Sequence, residues 1–177
     1  EDNPNYQYVA GRLVNYHLRK QIYGSFDEIP ELWYHYYKVR DAGYYDKYLS
    51  DEYTEAEFNK ADSFINHDRD LTLTYAAMEQ FRGKYLVKNR VDGEIFETPQ
   101  FAYILIAMTL FAKYPKESRM SYVKRYYDLC SQHYISLPTP VLGAVRTPQR
   151  QFSSCVLIES DDSLDSINAS ASSIVKY

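Results

Sequence analysis

Three groups of residues within positions 136–168, SLPTPVLGAVRTPQRQFSSCVLIESDDSLDSIN, have types and spacing that could do chemistry. Thr139 stands between Pro138 and Pro140, so its hydroxyl is offered from a stiff backbone and can donate to a phosphate oxygen at little ordering cost. Without a ligand it is an ordinary turn threonine. Cys155, with Ser154 beside it, carries a thiol that can supply electrons by closing to a disulfide with a second thiol. On its own it reads equally as a small apolar residue in a buried strand. Asp162 and Ser163, followed by Leu164, open a helical pattern. A carboxylate there can accept from a sugar hydroxyl and free amides can receive phosphate, or the pair is a plain N-cap.

A fourth group, His67-Asp68, is weaker. One imidazole beside a carboxylate can begin a divalent-metal site, as in phosphohydrolases that use a His-Asp doublet. The four histidines, at 17, 35, 67 and 133, include no pair spaced i to i+3 or i+4, so no helical ligand pair exists. Asp68 as an N-cap, with Arg69 and Asp70 in ion pairs on a first turn, is the structural expectation, and no metal is expected.

The backbone that must present these groups changes character near Ser136. The prolines of SLPTP and Thr147-Pro148 predict an extended loop that is not helical. Residues 151–158, with Phe152, Cys155, Val156, Leu157 and Ile158, read as a strand buried on both faces. A helix over 163–177 follows, with Leu164, Ile167, Ala171 and Ile174 or Val175 on one stripe.

Everything earlier reads as helical support. Asn3 and Pro4 open a helix with a stripe of Tyr6, Val9, Leu13 and Tyr16, stopped at Gly24. A second runs over about 30–42 with Leu32, Tyr36 and Val39 inward and Gly43 as its stop. Thr54 and Glu57 form a capping box ahead of Phe58, Ala61 and Ile65. A fourth helix after residues 67–70 carries Leu71, Tyr75 and Met78. Residues 84–97 switch to a strand period around Asp92-Gly93 and predict a β-hairpin. Thr98-Pro99 open a helix to about residue 113 that is apolar nearly all round, hence a buried axis. A sixth, over 116–131, turns Met120, Val123, Tyr127 and Cys130 inward, which makes Cys130 an inert core thiol.

Composition excludes several classes. The 177 residues are 45% hydrophobic and 25% charged with a net charge of −4, and the basic residues are scattered, so neither nucleic acid nor an anionic membrane is a favoured partner. The apolar run 101–112 is too short for a bilayer. Two cysteines make no disulfide scaffold, and a reducing, cytoplasmic setting fits them. The 20 tyrosines fit half-buried helix faces, although Tyr34, Tyr36, Tyr37, Tyr44, Tyr45 and Tyr48 could form a partner surface of a non-enzymatic helical interaction module, the alternative function.

The runs SLPTP, RTP.RQFSSCVLIE and DSLDSIN, in that order, resemble the large (alpha) subunit of class I ribonucleoside-diphosphate reductase. YQYVAGRL, HLRK..YG, FINHDRD, GKYLVKNR..GEIFE and VKRYYD look like further segments of it, so the resemblance covers essentially the whole chain. It implies a mainly α fold: a helical N-terminal domain over 1–135 with one β-hairpin, beginning with the last helix of an ATP cone, then over 136–177 the first strand and helix of a ten-stranded α/β barrel. Both ends are expected to be cut, with the rest of the subunit outside. It further implies that Cys155 is a redox thiol whose partner cysteine lies later in the subunit. Thr139, Ser154 and Cys155 would bind substrate. Asp162, Ser163 and Leu164 would bind a specificity effector, and Lys20 would belong to the ATP cone. The implied partners are a ribonucleoside diphosphate, dNTP or ATP effectors, a second large subunit and a radical-generating small subunit. The small-subunit radical cofactor and a thioredoxin or glutaredoxin reductant complete the set. None of these cofactors is expected to bind directly to this stretch, which alone is expected to be inactive.

Overall fold

The computed structural model describes residues 3–149 and 151–176; Arg150 of the cysteine-bearing run and Tyr177 at the expected end of the last helix lie outside the described residues. The described residues are mainly helical. In order come α1 (Tyr6–Tyr23), α2 (Leu32–Asp41), α3 (Tyr48–Glu52), α4 (Glu55–Asp62), a 3₁₀ turn (His67–Thr72), α5 (Tyr75–Gln80), a π-helical turn (Phe81–Tyr85), α6 (Pro99–Phe111), α7 (Lys116–Ser131), α8 (Thr139–Ala144) and α9 (Leu164–Lys176).

The body is built around α6. Every residue from Pro99 to Met108 on it is buried, and Phe101, Ile104, Leu105, Ile106 and Met108 are fully so. Each such side chain contributes about 1.5–3 kcal/mol by leaving water, which is why a helix without a polar face is stable only as an axis. Along it lies α7, whose Met120, Val123, Tyr127 and Cys130 all point inward as their spacing predicts. The second helix also keeps its predicted inward face, Leu32, Tyr36 and Val39. Gly24 and Gly43 adopt the left-handed backbone expected of helix stops, with φ of 81° and 86°. The capping box at Thr54 forms in full, the hydroxyl accepting from Glu57 N and the Glu57 carboxylate accepting from Thr54 N.

Several expectations are corrected. On α1 the predicted stripe is the exposed one: Tyr6 and Leu13 are each 65% exposed, whereas Gly11, Asn15, Leu18 and Arg19 face the body. Apolar spacing located a face but not its partner. A small residue was decisive, since a Cβ at Gly11 would collide with the Leu73 carbonyl oxygen, so α1 sits where only glycine fits. Near His67 the caps are Asn66, which accepts from Asp68 N at 3.1 Å, and Thr74, rather than Asp68. Of the stripe expected there, Met78 is buried but Tyr75 is exposed. Arg69 pairs with Asp128 across on α7 at 2.9 Å, while Asp70 is buried and takes its hydrogen bond from Gln100.

The predicted hairpin over 84–97 reduces to a tight turn. One isolated antiparallel bridge joins Lys88 to Ile95, with Phe96 N donating to Val87 O at 2.9 Å and Asn89 N to Glu94 O at 2.8 Å. The pairing does not extend further on the Val87 side, where Val87 N donates to the Glu97 carboxylate instead of to a facing strand. SLPTP is likewise not wholly extended. Pro138 caps α8 and Thr139 begins it, because a proline within the first helical turn gives up only an amide that had no helical partner. The strand expected over 151–158 is absent: these residues are irregular and exposed, Leu157 to 96%. A lone strand has no ladder to satisfy its backbone, so its apolar sequence alone does not make it one. No barrel strand is present among the described residues.

Candidate functional site

The segment carrying the candidate residues is anchored by a charge cluster that sequence reasoning missed. Arg146, just past α8, has no exposed side-chain surface, nor has Glu97. Its Nε donates to Glu97 Oε2 at 2.8 Å, its Nη1 to Leu142 O at 2.7 Å and its Nη2 to Tyr85 O at 3.0 Å, with a further bond from Nη2 to Glu97 Oε1. Glu97 also accepts from the buried Tyr45 hydroxyl and from Val87 N, both at 2.7 Å. Burial pushes the Tyr45 hydroxyl well above its ordinary pKa, and the Glu97 charge adds to that rise. Asp46 N donates to Arg146 O at 3.0 Å. Arg146 and Glu97 together thus tie the turn over 86–97, the loop before α3 and the end of α8 into a single unit, the loop through Asp46 N on the Arg146 carbonyl and the Tyr45 hydroxyl on Glu97. The available signal was a glutamate in the apolar context I-F-E-T-P and an arginine before T-P, two charges where burial would demand a partner.

Above this anchor, Thr139 is the first residue of α8 and is exposed, so its hydroxyl is free to meet a ligand from solvent. Farther along, Cys155 is an exposed free thiol with Ser154 Oγ 3.7 Å from its Sγ. Asp162 and Ser163 are exposed, and Ser163 Oγ accepts from Ser166 N at 3.2 Å, which makes it the working cap of α9. Leu164, Ile167, Ile174 and Val175 do fall on α9, but all are exposed, between 50% and 86%. Lys20 is exposed in the last turn of α1. The structure therefore orders Thr139 against the helical body and leaves Ser154, Cys155, Asp162, Ser163 and Leu164 on an exposed stretch.

Cys130 contrasts with Cys155. It is buried, and desolvation pushes its thiol up to about 11, so at neutral pH it holds its proton. His67 does not gather ligands: its carbonyl accepts from Arg19 Nη2 at 2.5 Å, its ring packs edge-on to Phe101, and burial first and Arg19 second lower its pKa to about 4. Among the described residues no group of three or more His, Cys, Asp or Glu side chains could hold a metal ion. The tyrosines proposed as a partner surface mostly belong to the core. Tyr36 and Tyr45 are buried, and Tyr44 stacks on Phe96 with centroids 4.2 Å apart.

Residues 71–150 match the family model described as ribonucleotide reductase, all-alpha domain. Over 176 residues the chain is 60% identical to ribonucleoside-diphosphate reductase 1 subunit alpha of Escherichia coli (strain K12), covering 99% of this chain and 23% of that protein. The chain belongs to the ribonucleotide reductase alpha-subunit family. Other relatives extend the pattern: the Haemophilus influenzae alpha subunit is 59% identical over 177 residues, 100% of this chain and 23% of the relative. That of Enterobacteria phage T4 is 45% identical over 176 residues, with 99% and 23% covered. The chain thus spans just under a quarter of the length of these relatives.

From residue 71 on, the helical body is the part matched by the all-alpha domain of the family. The match begins at Leu71, beyond α1 to α4, yet identity runs through those helices as well. Among the described residues no helix is long and apolar enough to cross a membrane.

Proposed function

We propose that this chain forms part of a ribonucleoside-diphosphate reductase large subunit, in which Cys155 is one of two thiols that reduce the substrate. The observation that carries the reading is 60% identity along 99% of the chain to a protein bearing that name. The chemistry balances with two thiols. The 2′-hydroxyl leaves as water, the ribonucleotide gains two electrons, and the thiols lose two hydrogens in closing to a disulfide. An exposed Cys155 suits this role and a buried, protonated Cys130 does not, so the partner thiol comes from the remainder of the subunit.

Within that reading Thr139 donates to the substrate diphosphate from the start of α8, and Ser154 and Cys155 line the ribose. Asp162, Ser163 and Leu164 at the start of α9 receive a nucleoside triphosphate effector, and α9 gives its uncovered stripe to a second large subunit. The exposed Leu157, Ile174 and Val175 support this, since apolar surface on that scale is stable only when covered. Residues 1–135 form the helical domain, opening with the last helix of an ATP cone to which Lys20 belongs. Residues 136–177 enter the α/β barrel, with 151–158 becoming a paired strand there. A radical-generating small subunit, a thioredoxin or glutaredoxin reductant and a cytoplasmic setting complete the assembly.

The test is a chimera in which this chain replaces the matching 176 residues of the Escherichia coli alpha subunit. With a small subunit, effector and dithiol, it should reduce a ribonucleoside diphosphate. A folded, dimeric chimera without turnover would contradict the reading.

A further inference from the structure

Besides Thr139 and Cys155, the fold builds a second polar recess. A cleft of about 350 Å³ lies between the turn over 86–97 and the end of α8, lined by Lys84, Lys88 and Arg90 on one side and by Gly143, Thr147 and Gln149 on the other. That volume is at the lower end of small-ligand sites. Among the described residues its lining includes three basic side chains and no aspartate or glutamate, in a chain whose net charge is −4. The nearest buried carboxylate, Glu97, is consumed by Arg146, Tyr45 and Val87 N and offers no counter-charge.

The cations are held to different degrees. Lys88 Nζ donates to Arg82 O at 3.2 Å and to Gly83 O at 2.7 Å, which fixes the ammonium at the rim and leaves one of its three protons to donate. Lys84 is exposed and rests 5.5 Å from the centre of the Tyr85 ring. Arg90, exposed beside the turn, makes no ion pair among the described residues. On the floor, Val87 N donates to Glu97 and Val87 O accepts from Phe96 N, so the Val87 amide N–H is not available to a ligand. Thr147 Oγ1 donates to Ala144 O at 2.8 Å and accepts from Gln149 N. Binding power therefore resides in the three cationic side chains on a preformed floor.

We propose that this cleft is a binding site for a diphosphate group, gripped by Lys84, Lys88 and Arg90. Two linked phosphates match the number and spread of the donors better than one, since Arg90 can bind one phosphate bidentately while the two ammonium groups meet the other. The inference is independent of the reductase reading, because it uses neither Thr139 nor Cys155. The diphosphate can be inorganic or carried by a nucleoside, and the chemistry recognised is the same.

The experiment is a titration of the isotope-labelled chain, followed by amide and side-chain NMR, with inorganic pyrophosphate in one arm and adenosine diphosphate in the other. Saturable shifts at Lys84, Lys88, Arg90 and Gly143, weakening as salt is raised, are expected in at least one arm. Lys84→Gln and Arg90→Gln, both exposed and therefore harmless to folding, should each weaken binding by about tenfold, the size of one charge-assisted bond. Lys116→Gln, outside the cleft, should leave it unchanged. Tighter binding of adenosine diphosphate identifies a nucleotide as the ligand, and equal binding identifies the phosphates alone; both support the site. Absence of saturable shifts in either arm, or equal affinity in the Lys84 and Arg90 variants, overturns it.

Discussion

Arg146 and Glu97 form an ion pair with no solvent exposure on either side chain, and it is the only one among the described residues to do so. Removing one partner leaves a buried charge uncompensated. Glu97→Gln or Arg146→Met is therefore expected to cost about 3–5 kcal/mol, read as a lower urea midpoint. Replacing both by apolar residues should recover much of that loss. Single variants within about 1 kcal/mol of the parent would show that the pair is dispensable.

Asp70 gives a pH prediction with a definite sign. Burial raises its carboxyl from 3.8 to about 7, although the Gln100 amide and Arg19 oppose the rise. A carboxyl that holds its proton more tightly when folded contributes stability that is full below 3.8 and lost as pH climbs to about 7. His35 and His67 act oppositely. Both are lowered to about 4, mainly by burial, so their contribution is full above 6.5 and lost as pH falls toward 4. Asp70→Asn isolates the first effect: relative to the parent, it should gain stability between pH 4 and pH 8, by a few kcal/mol at roughly 1.4 kcal/mol per unit. Parallel stability curves would contradict the assignment.

Gly11 marks the closest approach of α1 to the body. Gly11→Ala places a methyl group against the Leu73 carbonyl and is expected to cost about 1–3 kcal/mol by calorimetry, despite the better helix propensity of alanine. A stabilised variant would mean that α1 packs elsewhere.

Much of this was legible in the sequence. The apolar run of α6 could only be an axis, and the 3.6-residue spacing of Met120, Val123, Tyr127 and Cys130 named the inner face of α7. The stripe of α1 misled because Tyr6, Val9 and Leu13 are apolar without being covered, whereas Asn15 and Arg19 are polar and buried. Periodicity reports hydrophobicity, and burial is set by what lies opposite. The same reason undid the strand over 151–158, whose pattern presumes neighbours. Thr139 and Cys155 were singled out only through their flanking motifs, and their roles remain proposals, whereas the Arg146 anchor depended on contacts 49 residues apart and left only unpaired charges as a trace.

The two cysteines should differ sharply toward alkylation. Cys155 is exposed and Cys130 is buried with a thiol pKa near 11, so iodoacetamide at neutral pH should modify Cys155 first, with Cys130 following only on unfolding. Mass spectrometry of the tryptic peptides reads this directly, and equal rates in the native chain would contradict it.

The central claim is that Cys155 is a redox thiol of a ribonucleotide reductase. The most direct measurement compares Cys155→Ser with Cys130→Ser in the chimeric Escherichia coli alpha subunit, assaying reduction of a ribonucleoside diphosphate with excess dithiol. The account predicts that Cys155→Ser abolishes turnover while Cys130→Ser retains it. Turnover that survives Cys155→Ser would contradict the account and leave Cys155 without a redox role.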